Sequence, residues 1–193
     1  GGDARGVDDE TFDQKAFIRM VKECPECPKT ACPSPEIFKQ AYEAADAEAV
    51  FVITLSSHLS GSYNSAVIGK ELYEEEHGAD HKNILVIDSE SASAGELNLA
   101  LGICEMYEEG LDFQAISEKI MKKRDDENIY FVLDTLDFLR KNGRLTGLQA
   151  FFATALNIKP IMGADKGVII KLDQARGINK AFAKMCEFAV KEA

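Results

Sequence analysis

Two short apolar runs set the frame of the chain. Val50-Phe-Val-Ile-Thr-Leu55 and Ile84-Leu-Val-Ile87 lack the alternation of a half-solvated strand. They are rich in β-branched residues, so each predicts a strand covered on both faces, as in a parallel sheet. A third run, Ile129 to Leu133, predicts another strand ending at Asp134-Thr135. Between the runs, apolar residues fall at helical spacing. Thr11 is placed to cap a helix with Phe12, Ala16, Phe17, Met20 and Val21 inward. Ser34-Pro35-Glu36 opens a second, with Ile37, Phe38, Ala41, Tyr42 and Ala45 as its stripe. Further helices run over Tyr63–Glu76, through Leu97, Ala100, Leu101, Cys104 and Met106 to Gly110, and over Phe113–Lys123. Such alternation of strand and helix implies an α/β fold layered on a mainly parallel sheet.

The pattern changes after Leu133. Leu136, Phe138 and Leu139 form a short helix that stops at Asn142-Gly143-Arg144, and residues 148–156 are apolar and helical. Ile158–Met162, a turn over Gly163–Gly167, and Val168–Leu172 predict a β-hairpin. Arg176 leads into a last helix with Ala181, Phe182, Met185 and Phe188 inward. The expected division is an N-terminal α/β domain over 1–141 and the start of a second, smaller α/β domain over 142–193. The second has few residues with which to close a core, and reads as the opening of a larger one. Glu23–Pro35 carries four of the five prolines and is an extended loop.

Charge narrows the partners. Asp and Glu number 33 against 22 Lys and Arg, a net charge of −11. That field disfavours nucleic acid and anionic membrane surfaces. No apolar stretch approaches the roughly 20 residues of a membrane-spanning helix, and the first residues do not form a secretory signal. The five cysteines, Cys24, Cys27, Cys32, Cys104 and Cys186, are an odd set. Reduced thiols and a cytoplasmic location are expected. Cys24-Pro-Glu-Cys27 has the spacing of half a zinc site, but a structural site needs four ligands and the nearest histidine is His58. These are read as loop cysteines, and no metal is expected.

The chemistry concentrates after the first strand. Ser56, Ser57, Ser60 and Ser62 fall within seven residues, with His58 and Gly61 among them, directly before a helix. A strand that empties into hydroxyls and a helix N-terminus suits a small anion. Capping would need only one hydroxyl. Asp88 and Asp134 end two other strands and are secondary candidates that could meet the corner, while His77 and His81 lie in a polar turn. No phosphate-cradling loop of the Gly-x-x-x-x-Gly-Lys-Ser/Thr type is present.

Ser56-Ser-His-Leu-Ser-Gly-Ser-Tyr-Asn-Ser-Ala66 resembles the Ser-Ser-x-Leu-Ser-Gly-Thr-Tyr-Gln-Ser-Ala signature of the DegV family of bacterial fatty-acid-binding proteins. Other stretches agree in order: Pro28-Lys-Thr-Ala-Cys-Pro-Ser-Pro35, Val86-Ile-Asp-Ser89 with Ser91 to Gly95, Leu136 to Leu145, Leu156 to Met162, and Arg176 to Ala181. Ala31-Cys32 stands where the family has Ser-Gln, and Asn142 where it has the first Gly of Gly-Gly-Arg. The family's opening strand, ending Asp-Ser-Thr, and its continuation past the Lys-Ala helix lie outside this sequence.

The resemblance implies a long-chain fatty acid in an apolar tunnel between two α/β domains. It carries the carboxylate onto Thr30 and Ser60, with Ser57, His58, Gly61, Ser62, Asn64 and Arg144 as further ligand-binding candidates. It implies no cofactor and no catalysis by this chain alone. The bound acid would be presented to an ATP-dependent fatty acid kinase subunit for phospholipid synthesis, with Arg176 in the docking surface. Arg144 is equally well read as bonding carbonyls at a helix end. The competing reading is an enzyme acting on a small anionic metabolite at the serine corner, with His58, Asp88 or Asp134 as base. A third is a regulatory protein with a vestigial pocket.

Overall fold

The first two apolar runs form neighbouring strands. In the computed structural model, which describes residues 6, 7, 9, 11–24, 26–144 and 157–192, β1 (Ala49–Thr54) and β2 (Asn83–Asp88) lie parallel, with Val50 opposite Ile84 and Ile53 opposite Ile87. Alternate side chains of a strand leave opposite faces. Val50, Val52, Ile84 and Val86 therefore meet Phe38 and Tyr42 of α2 (Pro35–Ala44) and Tyr73 of α3 (Ser62–His77). Phe51, Ile53, Leu85 and Ile87 meet Leu99, Ile103 and Met106 of α4 (Ala94–Glu108) and Ile120 and Met121 of α5 (Phe113–Asp125). With helices on both faces, neither strand needs a polar side, which is why period two is missing from the sequence.

Tyr42 is fully covered on the first face. It is 2% exposed, and its phenol donates to the Ala66 carbonyl at 3.0 Å. Burial pushes the phenol from its ordinary 10.0 up to about 12. The folded chain thus keeps a proton that the unfolded chain has lost. Stability from this group is intact below pH 10 and is lost as pH rises from about 10 to 12. Urea titrations over that window should show a falling midpoint that Tyr42→Phe largely flattens. An equal fall in the variant would assign the alkaline loss elsewhere. Nearby, Lys82 is 9% exposed and closes the end of α2, donating to the Tyr42 carbonyl at 2.7 Å and the Ala45 carbonyl at 2.5 Å. Those are carbonyls that a helix end leaves open.

The third apolar run departs from expectation. β3 (Tyr130–Val132) does not extend the parallel pair but runs antiparallel to β4 (Ile158–Asp165), which pairs antiparallel with β5 (Val168–Arg176). A three-residue apolar strand carries no local mark of its partner, and here the partner lies beyond the short helix α6 (Asp137–Lys141). The fold is thus mixed α/β, with a parallel sheet and a separate small antiparallel one. The hairpin turn is also tighter than expected. It is Lys166-Gly167 alone, φ 46° and 79°, and Gly163 lies inside β4 against Leu172. Two positive φ values define the two-residue turn whose twist matches paired strands.

α7 (Ile178–Glu192) packs on this sheet through fully buried Ala181, whereas Phe182, expected inward, is 58% exposed. α4 likewise turns Leu99 and Gly102 inward and leaves Leu97, Leu101 and Cys104 exposed, because a helix apolar nearly all round does not declare its buried side. In α2, Ile37 and Ala41 are exposed and Tyr42 alone is fully covered. α1 (Gln14–Glu23) is capped by Asp13, which accepts the Ala16 N–H at 2.9 Å, rather than by Thr11, whose hydroxyl donates to Asp9. Asp13 is the residue directly before the first helical turn. No residue of α1 is buried, so its expected stripe covers no core. The helix expected over 148–156 lies outside the described residues.

Candidate functional site

β1 delivers the chain to a corner whose backbone is tied down by buried groups. Ser56 is fully buried. Its hydroxyl donates to the Gly167 carbonyl at 2.8 Å and accepts the His58 N–H at 3.2 Å, and its own N–H reaches the Ser91 carbonyl at 2.9 Å. This single side chain joins the corner to the turn of the β4–β5 hairpin. A Cβ at Gly167 would stand 2.4 Å from the Ser56 hydroxyl, so glycine is needed there for space as well as for its positive φ. Asp88, at the end of β2, accepts the N–H groups of Ser57 and Glu90, each at 3.1 Å.

The hydroxyls beyond are left for other uses. Ser60 Oγ lies 2.9 Å from Ser62 Oγ and accepts the Ser62 N–H at 3.2 Å. Gly61, before the first turn of α3, has no side chain with which to cap it. The N–H groups of Tyr63 and Asn64 take no partner among the described residues. These are the donors that a helix N-terminus leaves open, at the positive end of a sixteen-residue helix. Ser57, His58 and Asn64 are exposed, and their side chains are also unpartnered among the described residues.

Two further segments converge here. The proline-rich loop lays Cys32 over the corner, its sulfur 3.2 Å from where a Gly61 Cβ would stand and 3.9 Å from Ser65 Oγ. Thr30, two residues earlier, is exposed, and its hydroxyl has no partner among the described residues. From the end of α6, Asn142 donates to the Pro28 carbonyl at 3.1 Å, and Arg144 donates to the carbonyls of Leu59 at 3.3 Å and Asn142 at 2.7 Å. The guanidinium thus bonds carbonyls, one of the two uses foreseen for it. Arg176 ends β5, exposed, at the opposite end of the hairpin from the turn that touches Ser56.

The other candidates separate. Asp134 is ion-paired with Lys159 at 2.7 Å, whereas Asp88 is bound to the corner's backbone. The two carboxylates therefore hold different loops rather than one site. His77 and His81 are exposed but engaged: His81 Nδ1 lies 2.6 Å from the Tyr73 hydroxyl, and His77 Nε2 lies 3.4 Å from Glu43. Among the described residues, the one side-chain set spaced to hold a cation is Glu43, Glu76 and His77, and the Lys39 ammonium already bridges its two carboxylates at 3.2 and 2.5 Å. The cysteines are not part of it. A shallow cavity of about 430 Å³ between α4 and α5 is lined by Asn98, Lys119, Lys122, Lys123, Asp126 and Glu127, and these charges do not suit an apolar tail.

Sequence reasoning missed the roles of Ser56, Gly167 and Asn142. Gly167 in a hairpin turn and Asn142 in place of a glycine were visible signals, but their partners lie 111 and 114 residues away in the chain.

Comparison with known proteins adds what geometry alone does not. The family model described as an uncharacterised protein of the DegV family matches residues 2–193. A DegV domain-containing protein of Streptococcus pneumoniae is 36% identical over 177 residues, covering 91% of this chain and 61% of its own length. A crystal structure of a DegV-family protein from Ruminococcus gnavus, refined with vaccenic acid, superposes with a TM-score of 0.94 at 45% identity, covering 99% of this chain and 67% of that one. The Fatty Acid Kinase (Fak) B3 protein of S. pneumoniae, loaded with linoleic acid, gives a TM-score of 0.89 at 33% identity, covering 98% and 66%. The chain therefore spans roughly two thirds of the length of these relatives.

Proposed function

The chain belongs to the DegV family, and on that footing we propose that it binds a long-chain fatty acid by its carboxylate at the serine corner. The observation that carries this is the convergence of three segments near the N-terminus of α3, with Cys32 of the proline-rich loop against Gly61, Asn142 on Pro28 and Arg144 on Leu59, beside open backbone N–H groups. Thr30 and Ser60 are the hydroxyls this reading assigns to the head group. A carboxylate there receives charge-assisted hydrogen bonds and the favourable end of a helix dipole. Ser57, His58, Gly61, Ser62 and Asn64 border the head group. Arg144 serves through the backbone of Leu59 as well as through its charge. The tail lies in an apolar tunnel between the unit of residues 1–141, which lends β3 to the second sheet, and the unit begun by residues 142–193.

In this reading the protein is a carrier with no cofactor. It presents the acid's carboxylate to an ATP-dependent fatty acid kinase in the cytoplasm, with exposed Arg176 in the docking surface. The Ruminococcus relative refined with vaccenic acid and the Fatty Acid Kinase (Fak) B3 protein loaded with linoleic acid support it. No helix among the described residues is long and apolar enough to cross a membrane. The enzyme alternative loses ground because Asp88 and Asp134, two of its three candidate bases, are committed to separate loops.

Solvent extraction of the purified chain, followed by mass spectrometry, tests the proposal. A co-purifying long-chain carboxylic acid, replaceable by added fatty acid, is the expected result. Phosphate esters alone, or no lipid and no binding on titration, would overturn it.

A further inference from the structure

We propose that Asn142 is a positioning residue for the carboxylate site, holding the loop that carries Thr30 in place against the corner that carries Ser60. This rests on the fatty-acid reading above. The side-chain amide of Asn142 donates to the Pro28 carbonyl at 3.1 Å and lies 3.3 Å from Cys27 Sγ. Its own carbonyl accepts Arg144 Nη1 at 2.7 Å, and Arg144 Nε reaches the Leu59 carbonyl at 3.3 Å. One short turn therefore grips a point two residues before Thr30 and another directly before Ser60.

Few other hydrogen bonds among the described residues hold the loop. Among the described residues, 26–33 make no backbone–backbone hydrogen bonds, and the prolines at 28 and 33 have no N–H to give. The side-chain hydrogen bonds of this stretch that reach outside it, among the described residues, are those of the Asn142 amide and of Cys32 with Ser65, and Cys32 also lies against Gly61. A loop ordered only by its ligand charges the cost of ordering to binding, whereas one already fixed does not. A glycine, which the family pattern has at this position, would offer no side-chain amide, so the tether here depends on Asn142.

The test compares Asn142→Gly and Asn142→Asp with the unaltered chain. The aspartate keeps the shape of asparagine but, ionised, has no proton to donate to the Pro28 carbonyl. Affinity is measured for a long-chain fatty acid and for the alcohol of the same chain length, which lacks the carboxylate. Both variants should bind the acid about five- to tenfold more weakly and the alcohol as before, and iodoacetamide should modify Cys27 faster. An aspartate variant that binds the acid like the unaltered chain overturns the inference, because shape without the donor would then suffice. So does an equal loss for acid and alcohol, which marks a general loosening. If the unaltered chain binds no fatty acid, the functional reading itself fails and takes this inference with it. If it binds and the variants are indifferent, this inference alone fails.

Discussion

Replacing Thr30 and Ser60 together with alanine should weaken fatty-acid binding by about 100- to 10,000-fold, since each charge-assisted hydrogen bond contributes about 1.5–3 kcal/mol. The fold should survive. Thr30 is exposed and its hydroxyl makes no hydrogen bond among the described residues, so alanine removes none of those that hold them together. The Ser60 hydroxyl, among the described residues, bonds only within its own turn, to Ser62, and losing that costs about 1 kcal/mol or less of helix start. Affinity and stability should thus part company, with titration calorimetry showing the large change and the thermal midpoint a small one. The single variants need not sum to the double, because both hydroxyls would address one carboxylate. A double variant within threefold of the unaltered chain would remove these residues from the site.

The largest stability effect is expected at a residue with no side chain. Gly69 lies in α3 where α2 crosses it, and a Cβ there would stand 2.7 Å from the Pro35 carbonyl oxygen, 2.8 Å from Phe38 Cβ and 3.2 Å from the Lys39 nitrogen. Two of those three atoms are backbone, so relief requires moving a helix. Alanine recovers about 1 kcal/mol of helix propensity against a clash of about 1–3 kcal/mol, which leaves a modest net loss. Valine adds two methyl groups with nowhere to go, and should cost about 3 kcal/mol or more in urea unfolding. The loss should spread to Tyr42, Tyr73 and Ile84, whose cluster these helices close over the sheet. A valine variant within about 1 kcal/mol of the parent would mean that the helices separate more easily than their packing implies.

What the sequence disclosed and withheld follows from how far each determinant acts. β1 and β2 were legible because burial on both faces writes itself into consecutive residues. The serine corner was legible because strand, hydroxyls and helix are adjacent in the chain. The partner of β3 was not, since the choice between a parallel neighbour and the distant hairpin is made by tertiary pairing. The inward face of α4 was hidden by leucines on every side, and only the packed core distinguishes Leu99 from Leu97 and Leu101. Glycine misled in the hairpin as well. Gly163 invited a long turn, but its lack of a side chain makes room for Leu172 within the sheet. Around the corner, the exposed hydroxyls were legible as candidates and the carbonyl-bonding role of Arg144 was foreseen, whereas the braces Ser56 and Asn142 were missed. A brace such as Ser56 has meaning only beside Gly167.

The buried ammonium of Lys82 has a bearing on covalent labelling. Two main-chain oxygens accept two of its three protons, the residue is 9% exposed and the Tyr73 ring sits 5.8 Å away, so acylating reagents and acetyltransferases meet this amine only when the chain is open. An acyl group attached during synthesis would leave a bulky neutral amide where α2 needs a cation, and the segment could not close over its sheet. Lys82 is thereby shielded by the completed fold and vulnerable only before it forms.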